Sequence, residues 1–268
     1  MTDLGAAVAL AERLADAAAA EIRTRFRQRY AVATKADITP VTEADRAAEQ
    51  AVRAILAAER PEDGIAGEEF GVSAGRSNLT WVIDPIDGTK AFMTGRPTFA
   101  TLIALLDVDG RPVLGIIDQP IVRDRWIGVA GRPTTLNGRE IRARRGGALG
   151  SALFSTTAPD LFPGADVAVY HDIAAASGIR TYGGDGYAYG LLAAGWIDIV
   201  LESGLKLHDF AALAPVIEGA GGVITDWRGQ RLAAGSDGRV VACGCPNLHA
   251  GLLKRIRTIQ ANKSSERA

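Results

Sequence analysis

Apolar residues recur at helical spacing through roughly the first sixty positions of the chain. Residues 3 to 30 are rich in Ala, Leu, Glu and Arg, with apolar positions close to a period of about 3.6 residues. The segment TPVTEADRAAEQAVRAILAAERP then opens with a Thr that can cap a helix and closes at Pro61. The pattern predicts two long helices.

After Pro61 the pattern changes to short apolar and β-branched runs separated by Gly, Pro, Asp and Asn. These runs are GIAGEEF, LTWVIDPID, FATLIALLD, RPVLGIIDQPI and DRWIGVAG. Runs of this length between turn residues are typical of strands. A sheet is therefore expected to follow the two helices.

The second half of the chain alternates between strand-like and helix-like segments. Strands are predicted at SALFSTT, IRTYG, WIDIVLES, VITDW and VVACG, and helices at VAVYHDIAAAS, GYAYGLLAAG and HDFAALAPVIEGAGG. Such alternation predicts an α/β fold of layered helices and sheets. We expect lobes of residues 1–145 and 146–268 in one compact unit, a packed Trp196, and a frayed polar tail, IQANKSSERA.

Composition and charge exclude some classes of protein. The 268 residues are 47% hydrophobic and 23% charged, which is typical of a globular protein in water. Thirty basic and 31 acidic side chains give a net charge of −1, so charge offers no basis for binding nucleic acid or an anionic membrane. Without a signal-peptide pattern, and with Cys243 and Cys245 expected to be reduced and buried, a cytoplasmic location is expected.

Two aspartates crowd one turn at the end of the apolar run Trp81-Val82-Ile83. Asp84 and Asp87 are three positions apart in WVIDPIDGTKAF. Carboxylates held this close repel each other unless a proton or a cation lies between them, and Mg2+ prefers oxygen ligands. An ordinary Asx turn, with both side chains capping backbone N–H groups, explains the hexapeptide equally well.

Further acidic residues lie where strands end and helices begin. Glu68 and Glu69 follow Gly67 in a short turn, Asp209 opens a helix, and Asp45 lies in the first turn of another. Each has an ordinary structural explanation as a solvated turn, a helix cap or a helix-dipole partner. Together they are the residues from which a metal site would draw ligands.

The segments GEE, WVIDPIDGTKAF and HDFAALAPVIEGAGGVITD resemble, in order and spacing, the inositol monophosphatase family of Mg2+-dependent, lithium-sensitive phosphatases. TKADITPVTEAD is similar to the family's metal-proximal loop, with Lys35 at the periphery of the site. The resemblance extends from the first helix to the strand at Val240. It implies an α-β-α-β-α sandwich and, as in relatives, a homodimer.

The resemblance implies a site with two or three Mg2+ ions. Glu68, Asp84 and the backbone carbonyl of Ile86 would hold the first ion. Asp84, Asp87 and Asp209 would hold the second, so that Asp84 bridges the pair. A third, weaker ion would again use Glu68.

The resemblance also implies how a phosphate ester is held and hydrolysed. The N–H groups of Gly88 and Thr89 would receive the phosphate, which a turn that opens a helix can do on physical grounds. The attacking water would lie near Glu68 and Thr89, with Asp45 paired to the Thr89 hydroxyl as its activator. Asp209 would lie beside the departing oxygen, among the residues that bind the substrate.

Two more acidic residues bear on the leaving group. Asp185 and Glu202 match substrate-contact positions of the family, although Asp185 can also cap a helix and Glu202 can also be a surface residue at a strand end. Two carboxylates facing a leaving group disfavour a second phosphate and favour an amine or imidazolium. The sequence therefore predicts a small, cationic phosphate ester.

Three strings are most similar to the histidinol-phosphatase branch of the family: GGDGYAYGLLAAG, GIIDQPIVRDRWIG and DPIDGTKAFMTGRPTFATLIAL. This resemblance implies hydrolysis of L-histidinol phosphate in histidine biosynthesis. The alternatives are an inositol-1-monophosphatase and a regulatory protein-binding role. His208 is expected to pack or to form a hydrogen bond, and His171 and His249 are expected to be structural.

Overall fold

The computed structural model describes residues 4–28 and 43–265. The prediction for Lys35 and the loop around it lies outside these residues. The described helices are α1 (Leu4–Arg25), α2 (Glu43–Glu59), α3 (Thr89–Met93), α4 (Asp166–Ala176), α5 (Asp185–Ala193), α6 (Leu207–Phe210), α7 (Leu213–Gly219) and α8 (Pro246–Ser265).

The described strands fall into two groups along the chain. The first group is β1 (Gly64–Gly67), β2 (Gly71–Ser73), β3 (Thr80–Asp87), β4 (Ala100–Leu106), β5 (Pro112–Gln119), β6 (Asp124–Val129), β7 (Thr135–Leu136) and β8 (Arg139–Glu140). The second group is β9 (Leu153–Thr156), β10 (Ile179–Tyr182), β11 (Ile199–Glu202), β12 (Val223–Asp226) and β13 (Val240–Cys243).

Each group of strands forms its own sheet. The first sheet has the order β2-β1-β3-β4-β5-β6-β7-β8 and is antiparallel except for the parallel pair of β1 and β3. The second has the order β10-β9-β11-β13-β12, with β9 parallel to both of its neighbours. The boundary between lobes at residue 145 falls between the two sheets and stays a prediction.

Three apolar clusters show how the layers stack. One joins α1 and α2 to a face of the first sheet, and a second joins the opposite face to α5, α7 and the second sheet. The third packs α4 and α8 against the far face of the second sheet. The order of layers is therefore helix, sheet, helix, sheet, helix, and the predicted α-β-α-β-α sandwich is confirmed.

The alternation of side chains along buried strands explains why both faces of each sheet are apolar. In β3, Trp81 and Ile83 belong to the cluster with α1 and α2, whereas Val82 belongs to the cluster between the two sheets. A strand covered on both faces reads as a continuous apolar run, as TWVI does. The two cysteines, Cys243 and Cys245, are free and buried, as expected.

The segment HDFAALAPVIEGAGG, predicted as one helix, is divided in the structure. Its helices are α6 and α7, separated by Ala211 and Ala212. Pro215 has no N–H to donate to the carbonyl four residues earlier, so a continuous helix would lose a hydrogen bond there. The break directs α6 toward the first sheet and α7 along its face.

Two other expectations were wrong. The tail expected to fray is helical up to Ser265, because Leu248, Leu252 and Ile256 recur every four residues and pack in the cluster beneath the second sheet. Trp196 was expected to pack in a strand; it lies in the turn after α5 with 54% of its surface exposed. Among the described residues, no helix is both long and apolar enough to cross a membrane.

Candidate active site

A β-bulge in β3 brings two aspartates toward one side of the sheet. The three steps from Asp84 to Asp87 match only two steps along the paired strand β4. Residues three apart in a regular strand point to opposite faces, and the extra residue rotates Asp87 toward Asp84. The Thr101 hydroxyl closes the bulge by donating to the carbonyl of Pro85 at 2.8 Å.

The bulge leaves a carboxylate buried without a local partner. Asp84 is 1% exposed, and its Oδ1 accepts no hydrogen bond from the described residues. Burial raises the pKa of Asp84 well above its ordinary value, and the charges of Asp87, Glu68, Asp209 and Asp45 add to the shift. The geometry therefore does not support the Asx-turn alternative for Asp84.

Glu68 reaches the same place from the neighbouring strand. It directly follows β1, which runs parallel to β3, so the two strands end at the same edge of the sheet. The N–H of Glu68 donates to the carbonyl of Ile83 at 3.2 Å, one residue before Asp84. The parallel pairing thus aligns Glu68 with the bulge.

Asp209 enters from the short helix α6. Its Oδ2 accepts a hydrogen bond from the backbone N–H of Lys206 at 2.7 Å, so the predicted helix-capping role is present. Its Oδ1 lies 3.4 Å from Nε2 of His208, and the same nitrogen lies 3.7 Å from Oε1 of Glu68. His208 Nε2 is buried without a hydrogen-bond partner among the described residues, so the predicted hydrogen bond is not made through this nitrogen.

Two groups of side chains offer ligand atoms within 4.8 Å of one another. The first is Glu68, Asp84 and His208, and the second is Asp84, Asp87 and Asp209. Asp84 belongs to both groups, which is the arrangement that a bridging ligand needs. The buried, unpaired oxygen of Asp84 and the all-carboxylate second group fit a hard divalent cation such as Mg2+. The assignment of individual ligands, the Ile86 carbonyl included, stays a prediction.

The start of α5 fixes the orientation of Asp87. The backbone N–H of Gly186 donates to Asp87 Oδ2 at 2.5 Å. A Cβ at position 186 would lie 2.5 Å from the same oxygen and 3.0 Å from Leu102, so only glycine fits without displacing the carboxylate. Burial raises the pKa of Asp87 well above its ordinary value, reinforced by Asp185 and Asp209 and opposed by the bond from Gly186.

The predicted catalytic residues lie around the turn after β3. The Thr89 hydroxyl donates to the carbonyl of Ile86 at 3.3 Å. Asp45 is buried in the first turn of α2 and close enough to Asp84 to raise the pKa of that carboxyl. The expected pairing of Asp45 with Thr89 stays a prediction. Gly88 has a φ of 96°, a left-handed conformation that favours glycine.

A cavity of about 270 Å³ adjoins the acidic cluster. It is lined by Asp87, Thr157, Leu161, Asp185, Gly186, Tyr189, Glu202, Ser203, Gly204, Leu205 and Asp209. Asp185 is the first residue of α5, after Gly184 at the N-cap, so it does not act as the N-cap itself. A Cβ at Gly88 would lie 2.9 Å from Asp185 Oδ2, which puts this carboxylate beside the predicted phosphate turn.

Glu202 is a buried carboxylate and not the surface residue of the alternative interpretation. It is 2% exposed, and its Oε1 accepts hydrogen bonds from the N–H of Thr157 at 2.7 Å and the Thr157 hydroxyl at 3.0 Å. Its Oε2 accepts from the Thr156 hydroxyl at 3.2 Å. Burial raises the pKa of Glu202 to about 7 despite these bonds.

Asp185 has a different electrostatic environment. Burial raises its pKa to about 6, and the charges of Arg96 and Lys90 oppose the rise. These two cations partly neutralise Asp185, so Glu202 is the less compensated carboxylate of the cavity.

Sequence reasoning missed several residues of the cavity wall, among them Thr157 and Tyr189, which carry hydroxyl groups. Thr157 follows β9, and its backbone N–H donates a hydrogen bond to Glu202. In the sequence, only the polar run STT indicated that this residue could belong to a site. Tyr189 lies on α5 with a buried hydroxyl that has no hydrogen-bond partner among the described residues. It is four positions after Asp185, so helical spacing puts both side chains on one face of α5.

The sequence model of the inositol monophosphatase family matches residues 4–261. This chain belongs to that family. The inositol monophosphatase family consists generally of metal-dependent phosphatases, and the acidic cluster is where a metal would bind. The chain is therefore a phosphomonoesterase.

Three relatives illustrate the range of names within this family. A solved inositol monophosphatase from Zymomonas mobilis is 48% identical, with a TM-score of 0.88, and the match covers 96% of this chain and 100% of that one. The chloroplastic bifunctional phosphatase IMPL2 of Arabidopsis thaliana is 45% identical over 264 residues, 95% of this chain and 76% of the relative. A histidinol-phosphatase of Mycobacterium tuberculosis is 37% identical over 262 residues, 92% of this chain and 96% of the relative.

Asp84→Asn is expected to lower turnover at least a hundredfold, because a neutral amide cannot replace the shared carboxylate. Without Mg2+, this variant should unfold at a higher temperature than the wild type above neutral pH, since a buried charge among other acids is removed. Phosphate release and thermal unfolding with and without Mg2+ test both points. Wild-type turnover or an undiminished Mg2+-induced rise in Tm would contradict the metal assignment.

Gly186→Ala is expected to reduce turnover at least tenfold, because the added methyl group displaces the Asp87 carboxylate from its place beside Asp84. Steady-state kinetics at several Mg2+ concentrations measure the effect. The matched control is Gly251→Ala in α8, where a Cβ meets nothing within 4 Å. That change should leave turnover unaltered and stabilise the protein by about 0.5–1 kcal/mol. Equal effects of the two substitutions would show that Asp87 tolerates the methyl group.

Proposed function

We propose that this phosphatase hydrolyses L-histidinol phosphate to L-histidinol and phosphate, a step of histidine biosynthesis. The observation that carries the proposal is the pair of carboxylates, Asp185 and Glu202, in the cavity beside the acidic cluster. The identity to a histidinol-phosphatase over most of both chains supports it.

The charge of the cavity favours a cationic leaving group. A leaving group in the cavity would contact two carboxylates. One is Glu202, which accepts three hydrogen bonds, and the other is Asp185, the first residue of α5. An ammonium or imidazolium group would donate charge-assisted hydrogen bonds to carboxylates shielded from water. A second phosphate would be repelled by the same groups.

The chain's own residues would position the reacting groups. Glu68, Asp84, Asp87 and Asp209 would hold the Mg2+ ions, which when bound supply Lewis-acid chemistry that offsets phosphate charge and makes water more acidic. The Thr89 hydroxyl donates its hydrogen bond to the carbonyl of Ile86, so the lone pairs of Thr89 Oγ1 can accept a hydrogen bond from the attacking water.

Hydrolysis replaces one bond to phosphorus with another. The oxygen of water forms the new P–O bond, the P–O bond to the ester oxygen breaks, and the ester oxygen leaves with a proton that originates from water. No covalent intermediate with the protein is required. Gly88 and Thr89 would hold the phosphate through their N–H groups while this exchange takes place.

An inositol monophosphatase is the second candidate, supported by the 48% identity to the Zymomonas mobilis enzyme. Three hydroxyl-bearing residues, Thr157, Tyr189 and Ser203, line the cavity, and such a lining would suit a neutral polyol. A regulatory protein-binding role, the predicted homodimer and sensitivity to lithium stay predictions.

Phosphate release should be compared for histidinol phosphate, inositol 1-phosphate, fructose 1,6-bisphosphate and phosphoadenosine phosphate at equal concentrations with Mg2+. The proposal predicts that kcat/KM for histidinol phosphate exceeds the others at least tenfold, because only its leaving group is cationic. Preference for inositol 1-phosphate would favour the second candidate. Comparable values for all four substrates would refute the selectivity of the cavity.

Glu202→Gln tests the charge in isolation. The amide oxygen can accept both bonds from Thr157, and the amide nitrogen can donate to Thr156, so the packing is preserved. Suitable probes are 2-aminoethyl phosphate and 2-hydroxyethyl phosphate, which differ in the charge of the leaving group. Their kcat/KM values are expressed per phosphate dianion, because the ammonium group lowers the second phosphate pKa of the amino probe.

Since the pKa of Glu202 is about 7, this carboxyl is mostly neutral at pH 6 and mostly ionised at pH 8. For the wild type, kcat/KM for 2-aminoethyl phosphate divided by kcat/KM for 2-hydroxyethyl phosphate should therefore rise about tenfold from pH 6 to pH 8. In Glu202→Gln the ratio should be low and should rise no more than about twofold, because only Asp185, with a pKa of about 6, still titrates over this range. A wild-type ratio that does not change with pH would contradict the role given to Glu202.

A further inference from the structure

Glu49 of α2 is a fully buried carboxylate that lies outside the predicted set of site residues. It has 0% exposure and is one helical turn beyond Asp45. Burying a carboxylate is costly unless its oxygens are satisfied, so its contacts indicate what the burial achieves.

Both oxygens of Glu49 bind the turn that carries Glu68. Oε2 accepts a hydrogen bond from the N–H of Glu69 at 2.8 Å, and Oε1 accepts one from the N–H of Phe70 at 3.3 Å. Oε1 also accepts from Nε of Arg53 at 2.6 Å. A carboxylate that holds the two consecutive N–H groups after Glu68 restrains the backbone of the turn in both position and direction.

The chain before Glu68 is shaped to admit this carboxylate. A Cβ at Gly67 would lie 1.9 Å from Oε1 and 2.7 Å from Oε2 of Glu49. Any larger residue at position 67 would therefore expel the carboxylate. Glu49 thus contacts the turn on both sides of Glu68.

The next side chain in the turn is held against the same helix. Phe70 is 42% exposed, yet its ring lies between the guanidinium groups of Arg46 and Arg53, at 5.2 Å and 5.9 Å from the ring centroid. Cation–π contacts of this kind contribute roughly 0.5–1 kcal/mol each at exposed sites. Backbone and side chain of the turn are therefore both fixed to α2.

We infer that Glu49 is a positioning residue for the metal site: it ties the Glu68 turn to α2, so that Glu68 and Asp45 keep a fixed separation. The inference rests on Glu68 as a metal ligand and not on the identity of the leaving group. The inference about Glu49 can be wrong while the proposed substrate is correct, and the proposed substrate can be wrong while the inference about Glu49 is correct.

Glu49→Gln tests the inference. In one orientation of the amide its NH2 group faces the N–H of Glu69, and in the other it faces the N–H groups of Phe70 and Arg53. Two donors cannot bond to each other, so one hydrogen bond that holds the turn is lost in either case. The apparent dissociation constant for Mg2+, measured by titration calorimetry on protein stripped of metal, should rise at least tenfold. Turnover should be low at limiting Mg2+ and recover toward the wild-type kcat at saturating Mg2+.

The matched control is Asp63→Asn, at the opposite end of β1. Asp63 is also buried and accepts hydrogen bonds from Arg60 at 2.8 Å, Ser77 at 2.7 Å and Trp81 at 3.0 Å. Its replacement should lower Tm and leave the affinity for Mg2+ unchanged. Unchanged Mg2+ affinity in Glu49→Gln, or an equal loss of affinity in both variants, would overturn the inference.

If Glu49→Gln does not fold, Arg53→Met provides the same test at smaller amplitude. It removes one donor to Glu49, one of the two cations beside Phe70, and the bonds that Arg53 donates to the Gly71 carbonyl and the Ser73 hydroxyl, but keeps the carboxylate. The expected result is a two- to fivefold rise in the apparent dissociation constant for Mg2+. An unchanged constant in the folded Arg53→Met variant would equally overturn the inference.

Discussion

Repulsion among carboxylates gathered in a small, partly buried space is the interaction on which the rest of this structure depends. Two unit charges 4.8 Å apart repel by roughly 3–4 kcal/mol at an effective dielectric constant near 20. Asp84 meets several such neighbours at once, and their charges add to the effect of burial, which is the main reason that its pKa rises well above the ordinary value. A fold that keeps these groups together must hold each one in place, and a bound divalent cation would relieve the repulsion that remains.

The restraint comes mostly from backbone N–H groups at the ends of elements. Gly186 at the start of α5 holds Asp87, and Lys206 before α6 holds Asp209. Glu68 is held indirectly, because its own oxygens are left to the site while Glu49 binds the turn that carries it. Backbone donors near helix starts suit this task, since they stabilise negative charge without adding a mobile side chain.

Much of the fold was predictable because its signals are local. Two amphipathic helices, turn-separated strands and the acidic turn at Asp84 all follow from short-range pattern. The helix α8 was not predicted, because polar residues dilute the four-residue spacing of Leu248, Leu252 and Ile256, and packing under the second sheet makes this apolar face clear. Trp196 was misplaced for the opposite reason: its apolar character suggested burial, whereas it lies in an exposed turn. Thr157 and Glu49 act through contacts with residues about 45 and 20 positions away, which no local pattern encodes.

The layers separate the chemistry from its selectivity. The acidic cluster comes from the first sheet and α6, whereas the walls of the adjoining cavity come mainly from α5, the segment after β9, and the end of β11 with the residues that follow it. The hydrogen bond from Gly186 to Asp87 is a direct link between the two parts. Under the proposed function, changes of side chain at 157, 185, 189 and 202 would alter the accepted leaving group while the carboxylates of the first sheet stay in place. That division gives a physical reason why relatives of similar fold carry the names of different phosphatases.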